Sequence, residues 1–182
     1  RAFHEINQLA DLEALQISGV SLSPETIEAI ASLRKLKRLS LLGCRLPKDA
    51  AGRIAQLPQL EELDLYDCEL VDSDLMGLSD AHELRRLSLG ENRLEDDSIA
   101  VVSKLEKLRY LDLNGNELSG KGIQQLAALS QLETLSLVDN VMDKQHLDEF
   151  EGLKHLRKVY VDKAFGEPIS SLYTKDDLER IW

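Results

Sequence analysis

The aspartates Asp64 and Asp112 have the residue type and the spacing that hydrolytic chemistry would need. They lie 48 residues apart, which is twice the period of a 24-residue repeat that runs through the chain. If each repeat adds one parallel strand, their carboxylates lie two strand spacings apart, roughly 10 Å, near the separation in inverting glycosidases. However, nothing in the sequence predicts that water is excluded from them, and serines flank them in the neighbouring repeats. We therefore expect solvated carboxylates that accept hydrogen bonds from serine, and we predict that the protein is not an enzyme.

The cysteines Cys44 and Cys68 are the second pair that could react. They are 24 residues apart, so they are expected about one strand spacing from each other, within reach of a disulfide. The alternative is two reduced, buried thiols, which we favour because buried free cysteine commonly behaves as a small hydrophobic residue. The histidines do not cluster with these cysteines; they are His4, His82, His146 and His155. No glycine-rich phosphate loop, nucleophile elbow or paired-histidine helix motif occurs, and we predict no metal and no cofactor.

Leucine recurs at one position of every 24-residue unit, in the series Leu12, Leu36, Leu60, Leu84, Leu108, Leu132 and Leu156. Further apolar residues follow each of these leucines at fixed distances. The clearest copies run from Leu84 to Leu94 and from Leu108 to Leu118. A fixed period of this length predicts a solenoid, because each unit can bury its apolar face only against its neighbours.

Each unit divides into a strand and a helix. Apolar residues alternate in the first half, as in a half-buried strand. In the second half they recur at every third position, for example at Ile27 and Ile30, which predicts one apolar helix stripe per unit. Ser23 before Pro24 is typical of a helix start, and Asp72 is predicted to cap another helix. Because strands stack ~4.8 Å apart and helices are ~10 Å wide, the stack must curve with its strands inside.

The pattern LxxLxLxxNxL, met almost literally by the fourth to sixth copies, resembles the leucine-rich repeat family. The resemblance extends from Phe3 to about Val161. The helical second halves resemble the helix-backed, ribonuclease-inhibitor-like type, here with 24-residue repeats. The resemblance implies an α/β fold. This is a right-handed solenoid of about seven repeats, with a curved parallel sheet on its concave side and helices on its convex side.

The end of the chain departs from the repeat. Gly166 occupies a position where the pattern requires leucine, and Thr174-Lys-Asp-Asp177 resembles a helix-capping box. We therefore predict a repeat domain over residues 1–163 that starts in the middle of a repeat. Residues 164–182 are predicted to form a C-terminal cap, with Trp182 packing on the last repeat as a lid.

One buried position follows each strand, and it is occupied by Val20, Cys44, Cys68, Asn92, Asn116, Asn140 and Ala164. Asparagine here resembles the asparagine ladder of the family, and cysteine is the other common choice of the family at this position. An amide both donates and accepts hydrogen bonds, so it can satisfy loop backbone groups that have no access to water. We assign this structural role to Cys44, Cys68, Asn92, Asn116 and Asn140.

The inner strand face is the predicted functional surface, because its side chains are not needed for the core. Leu42, Tyr66 and Val138 are apolar at positions that should face water, and three of the four tyrosines fall on this face. Tyrosine near arginine is typical of interface hot spots. The predicted partner-binding residues are Leu42, Asp64, Tyr66, Arg86, Tyr110, Asp112, Asn114 and Val138. The alternative is scattered apolar surface without a binding role.

Charge narrows the classes of partner. The net charge is -11, which argues against nucleic acid and anionic membrane, since both need a basic face. On the inner face Arg38, Glu62 and Arg86 alternate in sign, which predicts cross-strand ion pairs.

No apolar run is long enough to span a membrane, and no Asn-x-Ser/Thr sequon occurs, which favours a cytoplasmic or bacterial setting.

The predicted function is a non-catalytic module that binds a protein or peptide through its concave strand face, as a monomer or as part of a longer chain. The alternative is a structural or regulatory repeat domain of a larger enzyme or effector, in contact with its own chain. Fold alone does not choose between the two, because function depends on the sites that a fold carries.

Overall fold

A single sheet runs the length of the molecule in the computed structural model, which describes residues 6–142, 152–161 and 173–174. Its strands are β1 (Ala14–Gln16), β2 (Arg38–Ser40), β3 (Glu62–Asp64), β4 (Arg86–Ser88), β5 (Tyr110–Asp112), β6 (Thr134–Ser136), β7 (Lys158–Tyr160) and β8 (Tyr173–Thr174). They lie side by side in chain order. Strands β1 to β7 pair in parallel, and β8 pairs antiparallel with β7. The predicted solenoid with a parallel sheet is confirmed.

The register of the sheet follows the leucine period. Leu39 pairs with Leu63, Leu63 with Leu87 and Leu87 with Leu111. Every parallel pairing joins residues 24 positions apart. The central leucine of each strand from β2 to β6 is at most 2% exposed, whereas the residues on either side of it point to the concave face. A one-residue slip would reverse this arrangement, so the buried leucines hold the concave side chains in aligned columns.

The convex side carries helices of two kinds. The α-helices of the described residues are α1 (Pro24–Ala31), α2 (Ala50–Ile54) and α3 (Asp97–Val102). The 3-10 helices there are Ile6–Gln8, Asp72–Leu75, Leu78–Asp80 and Ile123–Ala128. A three-residue apolar spacing drifts around an α-helix but stays aligned on a 3-10 helix, which has three residues per turn. The spacing that predicted helices is therefore compatible with both forms.

Two predicted helix caps have different outcomes. Ser23 is the N-cap of α1, where its side chain accepts a hydrogen bond from the Thr26 amide at 3.3 Å, and Pro24 opens the helix. The prediction for Asp72 was wrong, because Asp72 is the first residue of its 3-10 helix and not the residue before it. Its carboxylate instead accepts from the Glu95 amide in the next repeat at 2.9 Å. Asp72 therefore joins two repeats rather than capping a helix.

One continuous core fills the space between sheet and helices. It consists mainly of leucine and isoleucine, and the leucines that open the repeats, from Leu36 to Leu132, are at most 1% exposed. In the part of the chain that is described, no helix is long and apolar enough to cross a membrane. Of the predicted cap over residues 164–182, only β8 belongs to the described residues, so the cap stays a prediction.

Candidate functional site

The concave face contains an open groove of about 800 Å³ that crosses β1 to β5. Among the predicted partner-binding residues, five line it: Leu42, Asp64, Tyr66, Arg86 and Tyr110. Three lie outside it, further along the sheet: Asp112, Asn114 and Val138. Arg38 and Glu62 also line the groove, although the sequence singled them out only as an ion-pair series. The structure thus brings the predicted aromatic and arginine residues into one surface.

Arg86 and Tyr110 form a packed pair in this groove. The guanidinium carbon of Arg86 lies 4.1 Å from the centre of the Tyr110 ring, within the range of a cation–π interaction. Tyr110 is half-buried, and burial raises the pKa of its hydroxyl, with a smaller contribution from the nearby Asp112 carboxylate. Arg86 is exposed and Tyr110 is half-buried, so both side chains of the pair remain accessible from the groove.

Ion pairing occurs one column away from where it was predicted. Within the described residues, no ion pair joins Arg38, Glu62 and Arg86. The paired side chains belong instead to the residues immediately before the strands, with Lys37–Glu13 at 3.2 Å, Arg109–Glu133 at 3.4 Å and Arg85–Glu61 at 3.8 Å. These side chains are all more than one-third exposed, where such a pair contributes roughly 0–1 kcal/mol. The prediction of ion pairs among Arg38, Glu62 and Arg86 was wrong. Arg86 packs on the Tyr110 ring instead.

Tyr66 is placed by a glycine that the sequence analysis missed. A Cβ atom at Gly90 would lie 2.9 Å from Cδ2 and Cε2 of Tyr66, so the ring packs directly over the Gly90 backbone. Burial raises the pKa of Tyr66, and the carboxylates of Glu91 and Asp112 raise it further. The available signal was the glycine itself, because the same position carries a side chain in the repeats on either side.

Glu91 occupies a backbone position that favours glycine. Its φ is 53°, and the equivalent residues Gly19, Gly43 and Gly115 have φ between 60° and 68°. A non-glycine residue with positive φ is uncommon. Asp67 shares the position with a φ of 55° and, like Glu91, is exposed. At this position, the turns after β1 to β6 therefore carry either no side chain or an acidic one.

Asp64 and Asp112 make the same pair of hydrogen bonds. Asp64 accepts from the Ser40 hydroxyl at 2.9 Å and from the Tyr66 amide at 3.1 Å. Asp112 accepts from the Ser88 hydroxyl at 3.4 Å and from the Asn114 amide at 3.0 Å. Asp112 is only 8% exposed. Both carboxylates therefore fix the ends of strands, through the same serine hydroxyl and backbone amide contacts.

Asn114 and Val138 follow β5 and β6 beyond the groove. The Asn114 side-chain oxygen accepts from the Ser136 hydroxyl at 2.7 Å and from the Val138 amide at 2.8 Å. Both residues are half-buried. Asn114 therefore joins neighbouring strands in much the same way as Asp64 and Asp112.

The three ladder asparagines each join two repeats. The Asn116 amide nitrogen donates to the Leu89 carbonyl of the preceding repeat and to the Leu113 carbonyl of its own, both at 3.0 Å. Its oxygen accepts from the Leu94 amide at 3.0 Å. Asn92 and Asn140 make the equivalent bonds. The asparagine ladder therefore links the turn that follows each of these strands to the turn of the preceding repeat.

Cys44 and Cys68 are free, buried thiols at the same position. The Cys68 thiol donates to the Leu41 carbonyl at 3.1 Å and the Cys44 thiol to the Ile17 carbonyl at 3.6 Å. Burial raises the pKa of Cys68 to about 11. In the described part of the chain, no group of three or more histidine, cysteine, aspartate or glutamate side chains could hold a metal ion.

Family comparisons agree with the repeat pattern. A family model described as leucine-rich repeat matches residues 82–142. A second, described as the LRR repeats of the FBD-associated F-box protein At5g56370, matches residues 5–105. No curated protein sequence matches the chain.

Solved structures share the fold. Internalin InlF of Listeria monocytogenes has a TM-score of 0.70 and 25% identity, over 88% of this chain and 46% of its own. Internalin C2 of the same species has a TM-score of 0.68 and 23% identity, over 86% of this chain and 74% of its own. The ectodomain of the Arabidopsis thaliana receptor kinase GASSHO1/SCHENGEN3, in complex with CASPARIAN STRIP INTEGRITY FACTOR 2, has a TM-score of 0.57 and 21% identity, over 87% of this chain and 22% of its own. The chain thus spans about half the length of the internalin InlF chain.

Proposed function

This chain belongs to the leucine-rich repeat family, and we propose that it is a non-catalytic module that binds a protein or peptide partner in its concave groove. We also assign its repeats to the helix-backed, ribonuclease-inhibitor-like type, which the helices α1, α2 and α3 support. The binding residues that we propose are Leu42, Tyr66, Arg86 and Tyr110, with Asp64 at the groove floor. Asp112, Asn114 and Val138 support the adjoining strand ends.

One observation carries this proposal. Two tyrosines and an arginine, the residue types enriched in interface hot spots, lie together in one open groove of about 800 Å³. Their backbones are held in register by buried leucines, so the relative positions of these residues on the sheet are set before any partner arrives. Such preorganisation reduces the entropy lost on binding.

The comparisons support a polypeptide partner. GASSHO1/SCHENGEN3, which shares the fold, was solved in complex with CASPARIAN STRIP INTEGRITY FACTOR 2. That complex concerns the plant receptor alone, but a similar stack of strands can present a continuous surface to a protein or peptide here too.

The test is affinity capture from lysate of the source organism, with the parent chain and a Tyr66→Ala/Tyr110→Ala variant as baits. We expect the parent to retain a protein that the variant loses, because both rings are removed from the groove. The thermal midpoint of the variant should change little, since Tyr66 and Tyr110 are only partly buried.

A Met76→Ala/Val141→Ala variant is the matched control, because both residues are large, apolar, exposed and outside the groove. Equal capture by the tyrosine variant and this control would move the site away from the groove. No capture by any bait would favour the alternative, a structural or regulatory domain that contacts its own chain. A collapse in thermal midpoint of the tyrosine variant would show that the rings belong to the fold.

A further inference from the structure

Two kinds of repeat alternate along the middle of the stack. The last residue of the strand is serine or aspartate by turns, in the series Ser40, Asp64, Ser88, Asp112 and Ser136. A position in the following turn alternates between base and acid, in the series Arg45, Glu69, Arg93 and Glu117. We call residues 36–59 and 84–107 the serine repeats, and residues 60–83 and 108–131 the aspartate repeats. These positions therefore have a period of 48 residues, twice that of the leucines.

On the concave face, each serine repeat donates to the aspartate repeat that follows it. The Ser40 hydroxyl donates to Asp64 at 2.9 Å, and the Ser88 hydroxyl donates to Asp112 at 3.4 Å. An ionised carboxylate only accepts hydrogen bonds, whereas a hydroxyl can donate one. Two aspartate repeats in succession would instead place like charges one strand spacing apart, which destabilises a sheet.

The charged and aromatic contacts have the same direction along the chain. Arg45 of the first serine repeat donates to the Glu69 carboxylate of the next repeat at 2.9 Å. The hydrogen bond and the charge of Arg45 lower the pKa of Glu69, and Arg93 in the following repeat lowers it less. In the second serine repeat, Arg86 packs on Tyr110 of the aspartate repeat that follows.

The convex side shows the same pairing. The serine repeats carry the α-helices α2 and α3, and the aspartate repeats carry 3-10 helices. Gly77 and Gly122 are each the N-cap residue of a 3-10 helix. A Cβ at Gly77 would lie 2.9 Å from the Cα of Gly52 in α2, and one at Gly122 would lie 2.9 Å from Cγ1 of Ile99 in α3. In both cases a glycine of the aspartate repeat allows close approach to the α-helix of the preceding serine repeat.

We propose that residues 36–83 and 84–131 are two copies of one 48-residue repeat pair, in which the serine repeat is matched to the aspartate repeat that follows it. Contacts on the concave face, in the turn and on the convex side join the members of a pair in that order. The groove is built from both copies, which contribute Arg38 and Arg86 at equivalent positions. Beside these arginines the first copy has Glu62 and the second has Tyr110, so only the second copy can form the arginine–tyrosine contact.

The experiment compares two rearranged full-length chains with the composition and length of the parent. The pair-exchanged chain has residues 38–85 and 86–133 exchanged, so every serine repeat still precedes an aspartate repeat. The repeat-exchanged chain has residues 38–61 and 62–85 exchanged, so one serine repeat follows an aspartate repeat and precedes another serine repeat. New strand neighbours arise at three places in each chain, β1/β4, β5/β2 and β3/β6 in the first and β1/β3, β3/β2 and β2/β4 in the second.

The pair-exchanged chain should be the more stable of the two, because it alone retains the contacts within both pairs. We expect it to unfold in one cooperative thermal transition, followed by circular dichroism. Its midpoint should lie at least about 4 °C above that of the repeat-exchanged chain.

An exchange of side chains tests the alternating positions apart from the rest of each repeat. The substitutions are Arg38→Glu, Ser40→Asp, Arg45→Glu, Glu62→Arg, Asp64→Ser and Glu69→Arg. In the parent they place two repeats of the serine type side by side, so they should lower the thermal midpoint. In the repeat-exchanged chain the same substitutions restore the alternation, so they should raise it. Opposite signs in the two chains are expected only where the effect depends on the neighbouring repeat.

Equal midpoints of the two rearranged chains, or failure of both to fold, would overturn the inference, because the type of neighbour would then have no effect. A repeat-exchanged chain that the side-chain exchange makes less stable would also overturn it. A folded pair-exchanged chain beside an unfolded repeat-exchanged chain would support it. The proposed function is tested separately, by capture of a partner.

Discussion

After β2 to β6, the position behind the strand is filled by either cysteine or asparagine, and the two residue types satisfy the neighbouring backbone groups differently. Cys68 and Asn116 each donate to a carbonyl 27 residues earlier, at 3.1 and 3.0 Å. Only the asparagine also accepts, from the Leu94 amide. In a cysteine repeat, the Leu22 amide finds its acceptor in the Arg45 carbonyl of the next turn instead. Along the stack, the acceptor for this turn amide therefore changes from a backbone carbonyl to an asparagine side chain.

The buried thiol of Cys68 should make stability depend on alkaline pH. Its pKa is raised from 9.0 to about 11, so the folded state favours the neutral thiol that the unfolded state loses first. This contribution to stability is complete below about pH 9 and is lost as pH rises towards 11. We expect the free energy of unfolding, measured by urea titration, to fall more between these values in the parent than in Cys68→Ala. Parallel pH profiles for the two proteins would contradict this assignment.

For individual residues, the sequence predicted which side chains share the concave face better than it predicted which side chains touch. The regular period identified Tyr66, Arg86 and Tyr110 as neighbours on one face, and the structure places them in one groove. The period could not reveal that Arg86 stacks on Tyr110 rather than pairing with Glu62, because that choice depends on side-chain conformation. It also gave no weight to Gly90, whose role is visible only once the Tyr66 ring lies over it.

The strands and helices differ in how closely the sequence determined them. Strand register follows from buried leucines and was fully predictable, since a shift would expose them. Helix type was not, because three-residue apolar spacing fits α and 3-10 geometry alike. Residues within and next to each helix decide whether it is an α-helix or a 3-10 helix. Gly77, with φ 83°, separates the 3-10 helices Asp72–Leu75 and Leu78–Asp80, whereas the α1 sequence has a serine cap and an N-terminal proline.

Gly77 also sets how closely the convex elements of two repeats approach. A Cβ there would lie 2.9 Å from the Gly52 Cα in α2. Gly77→Ala should therefore lower the free energy of unfolding by about 2–4 kcal/mol, through left-handed strain and overpacking together. Gly19→Ala is the matched control, because Gly19 has φ 68° but nothing within 4 Å of its Cβ position. Its loss should be about 1 kcal/mol from strain alone, and equal losses by urea titration would refute the close-packing role.

The whole molecule is a linear stack, and its packed elements belong to the same repeat or to adjacent ones. Helix α1 contacts α2, and α3 contacts the 3-10 helices on either side of it. Stability in such an array is approximately a sum of repeat terms and nearest-neighbour terms. The same geometry makes the concave groove a surface shared by five strands, so no single repeat contains the proposed site.

Linear organisation predicts which core substitutions interact. Ile27, Ile99 and Ile123 occupy the same position of different repeats, and each is at most 1% exposed. Each Ile→Val change should reduce the free energy of unfolding by about 1 kcal/mol. Ile99→Val and Ile123→Val lie in adjacent repeats, so their combined effect should depart from additivity by roughly 0.5 kcal/mol or more. Ile27→Val and Ile99→Val are separated by two intervening repeats and should add within about that margin. Urea titration of the single and double variants measures both cycles, and strong coupling of the distant pair would show that the stack transmits strain beyond its nearest neighbours.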